Sequence, residues 1–84
     1  MTWVIEYSQE ADNYLVDNYP YTKDLDLAII ALSLTPDGIP PQGAHQLEPG
    51  LIMCEIERHT VVYRRLPERQ TLRILVIKPR EEML

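Results

Sequence analysis

The sequence predicts an α+β fold of order β-α-α-β-β-β, with two N-terminal helices packed on a mainly antiparallel four-stranded sheet. Three observations predict it. The C-terminal half holds three β-prone runs, residues 51–57, 60–66 and 71–77, parted only by turn-length breaks. Two segments before them repeat apolar residues at spacings of three and four. The 84 residues suffice for one core, so a single domain over 1–84 is expected.

Trp3-Val4-Ile5-Glu6-Tyr7 is β-prone and ends at Ser8, a good helix N-cap, after which Glu10 and Asp12 put negative charge in a first helical turn. Ala11, Tyr14, Leu15 and Asn18 continue that helix until Tyr19-Pro20 stops it. A second helix starts near Thr22 or Asp24 and runs to Leu34, with Thr35-Pro36-Asp37-Gly38 as terminator. Leu25, Ala28, Ile29 and Leu32 form one stripe on it, and Leu27, Ile30, Ala31 and Leu34 form another. A helix apolar on most of its circumference is expected to be sandwiched. Residues 35–50, with four prolines and three glycines, are expected to be a connection without regular structure.

The C-terminal hairpins define two faces. With Arg58-His59 as a two-residue turn, Cys54 faces Tyr63 and Met53 faces Arg64; with Pro67-Glu68-Arg69-Gln70 as the next turn, Arg64 faces Arg73 and Val61 faces Val76. Ile52, Cys54, Ile56, Val61, Tyr63, Ile74 and Val76 then face the helices. Met53, Glu55, Glu57, Thr60, Val62, Arg64, Arg73, Leu75 and Ile77 form the opposite face.

Charge is divided along the chain. Residues 1–42 carry seven acids against Lys23, giving −6, while residues 43–84 carry six acids against seven bases, giving +1. The single cysteine, Cys54, allows no internal disulfide, which suits a reducing compartment. With no long apolar run and no basic leader at the start, a cytoplasmic protein without a membrane segment is expected.

Few residues suggest chemistry. Arg64 and Arg73, opposed on neighbouring strands, repel unless an anion or carboxylate lies near, and Glu55 is the diagonal candidate. Such a pair is either a solvated ion pair worth roughly 0–1 kcal/mol or an anion- and partner-binding spot. His45 and His59 have no partners at ligand spacing, so no metal and no cofactor are expected. Cys54 points to the helices and reads as core. The apolar patch of Leu51, Met53, Val62, Leu75 and Ile77 requires a cover. A partner chain, a dimer mate or residues 80–84 folding back would each provide one.

The element order, Leu47 after a Gly-Pro loop, Tyr7-Ser8-Gln9-Glu10-Ala11, Val61-Val62-Tyr63-Arg64 and Ile74-Leu75-Val76-Ile77-Lys78-Pro79-Arg80 together resemble the RelE/ParE toxin superfamily over almost the whole chain. The resemblance implies the toxin half of a bacterial type II toxin–antitoxin pair. RelE-like members cleave messenger RNA on the ribosome, and ParE-like members poison DNA gyrase. It implies a small antitoxin as partner, with Met53, Glu55, Val62, Leu75 and Ile77 as the partner-binding surface. Arg80 matches a functional arginine of RelE-like nucleases, so Arg64, Arg73 and Arg80 become the catalytic candidates. Leu84 stands near where many members have a tyrosine, and Glu55 and Thr60 occupy positions that are frequently basic.

These departures, with a pI near 4.8, suit a chain gripping ribosomal phosphates poorly. Only His59, of the histidines, is a strand-borne candidate to activate a 2′-hydroxyl. Three readings follow: a toxin with weak or absent ribosome-dependent endonuclease activity, a non-catalytic binding or oligomerisation module of the same fold, or a gyrase-directed toxin.

Overall fold

A computed structural model describes residues 2–80. The first strand, β1 (Val4–Tyr7), passes directly into α1 (Gln9–Asp17) through Ser8. The Ser8 hydroxyl accepts a hydrogen bond from the Ala11 N–H at 3.1 Å and donates to the Leu75 carbonyl at 2.7 Å, so one side chain caps the helix and ties it to the last strand. The buried Thr22 hydroxyl donates to the Leu15 carbonyl at 2.8 Å and joins α1 to α2 (Lys23–Leu32). Leu25, Ile29 and Leu32 of α2 enter the core. The second stripe does not: Leu27, Ile30 and Leu34 are exposed, so α2 covers the sheet from one side and is not sandwiched.

The sheet has five strands, not four, in the order β1-β5-β4-β3-β2. The additional strand is β2 (His45–Glu48), inside the segment expected to be irregular. All four of its residues are exposed, so it carries no burial pattern, and pairing with β3 (Leu51–Ile56) is what holds it. Beyond β3 lie β4 (His59–Leu66), a short 3-10 turn (Pro67–Arg69) and β5 (Thr71–Pro79). β1 runs parallel to β5, and every other pair is antiparallel.

Two details of register differ from the sequence reading. The β3–β4 turn is Glu57-Arg58, both with positive φ (49° and 64°), the pattern of a type I′ turn. Cys54 therefore faces Val61 and Met53 faces Val62. Each partner moves by two residues, and because side chains alternate with period two, the β3 and β4 faces stay as expected. The β4–β5 pairing starts as expected, with Leu66↔Thr71, Arg64↔Arg73 and Tyr63↔Ile74, but a bulge at Leu75 then gives Val62↔Val76 and Val61↔Ile77. Ile77 thus turns into the core at 4% exposure, while Val76 turns to the outer face. The expectation that Ile77 lies on the partner-binding face is corrected on this ground.

Trp3, Leu25, Ile29, Ile52, Val61, Tyr63, Leu72 and Ile74 form the centre of the core. Around its edge the segment after α2 is clasped by side chains. The Trp3 indole donates to the Thr35 carbonyl at 3.1 Å, and the Tyr63 hydroxyl donates to the Gly38 carbonyl at 2.6 Å. The Arg65 Nε–H donates to the Asp37 carbonyl at 2.6 Å, and its guanidinium lies 5.3 Å from the centre of the Trp3 ring. Gly38 has φ +71°, and a Cβ there would lie 2.9 Å from Leu72 Cδ2. The approach of this segment to the core therefore requires glycine.

Candidate functional site

The helices cover one face of the sheet, and the other face is built of three rows running across the strands. The first joins Glu6, Arg73, Arg64, Leu51 and Glu48, one from each strand in spatial order. Arg73 and Arg64 are direct cross-strand neighbours, and a carboxylate stands beyond each. Arg73 Nη1 is 3.7 Å from Glu6 Oε1, and Arg64 Nη2 is 3.6 Å from Glu48 Oε1. Glu6 Oε2 also accepts from Arg69 Nη2 at 3.2 Å. Each half-exposed pair adds about 0–1 kcal/mol of stability. Their larger consequence is electrostatic: the repulsion between two facing guanidinium groups is cancelled within the sheet itself.

The second row is apolar. Met53, Val62 and Val76 are consecutive cross-strand partners, each half-buried, with the bulged Leu75 beside them and His45 opposite Met53 at the edge. A shallow cavity of about 490 Å³ opens where Gln42, Ala44, His45, Met53, Glu55 and Thr60 meet. The third row is Glu55, Thr60 and Lys78, and Arg80 brings its Nε within 3.8 Å of Glu55 Oε2. Glu55 is thus the counter-ion of Arg80, not of Arg64. The two-residue register change sets it opposite Thr60, and Glu48 on the unexpected strand takes its place.

Of the partner-binding candidates, Met53, Val62 and Leu75 fall in or beside the apolar row and Glu55 borders it, while Ile77 leaves it and Val76 enters. Arg64 and Arg73 adjoin one side of the row and Arg80 the other. The sequence reading missed Glu6 and Glu48. Glu6 was legible as the outward residue of an alternating strand, whereas Glu48 carried no signal once its segment was read as loop. The tail as a cover, and Leu84 at the family's tyrosine position, involve residues 81–84, outside the described residues.

His59 is not at a turn tip. It opens β4 on the helix side, 2% exposed, with Nδ1 2.8 Å from the Glu57 carbonyl and Nε2 2.8 Å from the Tyr14 hydroxyl. A carbonyl can only accept, so Nδ1 carries a proton and donates to it, while Nε2 shares a hydrogen bond with the Tyr14 hydroxyl. Both nitrogens are engaged away from the outer face, which removes His59 as the group that would activate a 2′-hydroxyl there. Among the described residues no group of three His, Cys, Asp or Glu side chains is arranged to hold a metal ion, and no helix is long and apolar enough to cross a membrane.

Burial pushes the Cys54 thiol up to about 11, so it stays protonated and unreactive at neutral pH. Burial, followed by the neighbouring Asp26 carboxylate, pushes Tyr7 up to about 12. Burial also raises Tyr63. In the unfolded chain these groups lose their protons at lower pH than in the folded one. The stability these groups contribute is therefore fully present below about pH 8.5 and is lost as pH rises through about 9 to 12. Urea midpoints measured from pH 7 to 11.5 should be level at first and fall above pH 9, and Tyr7→Phe should flatten part of the fall.

No protein-family profile matches the chain, and no curated protein sequence does. Solved structures do. A chain of the toxin–antitoxin complex RelBE2 from Mycobacterium tuberculosis superposes with a TM-score of 0.74 at 17% identity, over 98% of this chain and 95% of that one. A chain of the archaeal RelE–RelB complex from Pyrococcus horikoshii OT3 gives 0.72 at 15% identity, over 99% and 100%. The protein has a RelE-like fold.

Proposed function

We propose that this protein is the toxin half of a toxin–antitoxin pair, held by a small antitoxin whose apolar side chains lie on the Met53–Val62–Val76 row, with weak or absent ribosome-dependent endonuclease activity. The observation that carries the reading is that row: a half-buried apolar strip on a RelE-like sheet, bordered on both sides by charge pairs. The two similar folds described above both come from RelB–RelE complexes. An apolar centre inside a polar rim is the general form of a protein interface.

The weak-nuclease part follows from electrostatics. Arg64, Arg73 and Arg80 are the groups that would meet a scissile phosphate, and each has a carboxylate within 4 Å. A phosphate must displace or tolerate those carboxylates, which removes much of the attraction that drives nucleic-acid binding. The same pairing favours the second reading, a binding module of this fold without catalysis.

The test is to co-express the chain with the products of the short reading frames, if any, that flank its own in the genome. A co-purifying complex is expected, and Val62→Glu with Val76→Glu should weaken it by about tenfold or more while leaving the fold intact. Absence of any complex would contradict the reading. Codon-dependent cleavage by the free chain on ribosomes, lost in Arg80→Ala, would decide for the nuclease over the module.

A further inference from the structure

A second surface lies on the opposite side of the molecule, where α1 and α2 leave a groove of about 420 Å³ lined by Tyr7, Asp12, Leu15, Val16, Tyr19 and Asp26. Its apolar wall is open to solvent: Val16 is 67% exposed and Tyr19 68%. Beyond the groove's own lining, Ile30, 49% exposed, stands one helical turn past Asp26 on α2, and Leu27 and Leu34, three and four residues from it, are exposed too. Isolated exposed apolar residues need no explanation, but a contiguous set lining a groove marks a contact surface.

The charge around the groove specifies what covers it. Asp12 and Asp26 face it from the two helices, and neither forms an ion pair with a lysine or arginine among the described residues. The Tyr7 hydroxyl donates to Asp26 Oδ1 at 3.4 Å, leaving the carboxylate charge uncompensated. Glu10, Asp17 and Asp24 add to the field, against Lys23 as the sole base of residues 1–42. Tyr7 in the groove is held protonated first by burial and then by the two aspartates beside it.

We propose that this groove docks a basic amphipathic helix of a partner protein, with its apolar side on Leu15, Val16, Tyr19 and Ile30 and a Lys or Arg reaching Asp12 and Asp26. The long aliphatic stem of such a side chain covers the groove wall while its charged end meets the carboxylates. An acidic or neutral helix would leave both aspartates desolvated without a partner, so charge selects the occupant. The surface is separate from the sheet face, and this inference stands whether or not an antitoxin binds there.

The probe is a synthetic helical peptide with leucines at i and i+4 flanked by lysines, compared with the same peptide carrying glutamates instead. Amide chemical-shift titration of the folded chain reads both affinity and location. The lysine peptide should bind about tenfold or more tightly than the glutamate peptide, with shifts centred on α1 and α2. Asp12→Asn with Asp26→Asn should abolish the preference, while Val62→Glu with Val76→Glu on the sheet face should leave it unchanged. Equal affinity for both peptides, no binding of either, shifts confined to the sheet face, or a self-associated chain whose copies already fill the groove would each overturn the proposal.

Discussion

Tyr63→Ala should bring the protein to the edge of unfolding at room temperature. Tyr63 has no exposed surface, fills the middle of β4, and is the donor to the Gly38 carbonyl. Emptying a large core position costs about 3–5 kcal/mol, and stranding the carbonyl adds about 1–3 kcal/mol. A domain of this length holds only about 4–12 kcal/mol in total. Tyr63→Phe keeps the ring and isolates the hydrogen bond, so its loss should be about 1–3 kcal/mol. Urea unfolding followed by far-UV circular dichroism separates the two. A loss below about 1 kcal/mol in Tyr63→Ala would mean that the core is not organised around this ring.

The second large effect tests the bulge. Ile77→Glu forces a carboxylate under the helices, at a cost of several kcal/mol for desolvation and about 1.5–3 kcal/mol of lost apolar burial, and should leave the chain unfolded. Val76→Glu faces the outer rows near Lys78 and should fold, with a loss of about 1 kcal/mol or less. Without the bulge at Leu75 the two outcomes would be exchanged. A folded Ile77→Glu beside an unfolded Val76→Glu would return β5 to the regular alternation that its sequence suggests.

That exchange illustrates how far the sequence could be read. Alternation in β3 and β4 was legible because their inward residues are almost all apolar, and the faces survived a wrong turn since a shift of two residues preserves parity. In β5 the run Ile74-Leu75-Val76-Ile77 is apolar throughout, so nothing local distinguishes inward from outward. The bulged Leu75 is tied instead by a contact distant in sequence, its carbonyl accepting from the Ser8 hydroxyl. The Glu57-Arg58 turn was hidden because residues with positive φ there are neither Gly nor Asn. β2 was hidden because an exposed edge strand of four residues between Gly43 and Pro49 has one apolar residue, Leu47, and no alternation.

The candidate site was legible in part for the same reasons. Facing arginines follow from the 3-10 turn and local register alone, which the sequence carries. Their counter-ions do not, since Glu6 arrives through a parallel pairing with the far end of the chain and Glu48 through the hidden strand. His59 appeared available because its turn was placed one residue late, and a single residue decides whether the imidazole is a turn-tip group or a buried hydrogen-bond partner of Tyr14.

The outer sheet face pairs its arginines with its own glutamates, and the function proposed above requires it to hold protein more readily than phosphate. Salt-dependent co-sedimentation with ribosomes, comparing the natural chain with Glu6→Gln/Glu48→Gln/Glu55→Gln, tests it most directly. Weak association with a shallow salt slope is expected for the natural chain. The triple variant should gain about tenfold in affinity and a slope steeper by about two to three, somewhat under one unit for each of Arg64, Arg73 and Arg80 on that face. Tight, steeply salt-dependent association of the natural chain, unchanged in the variant, would contradict it.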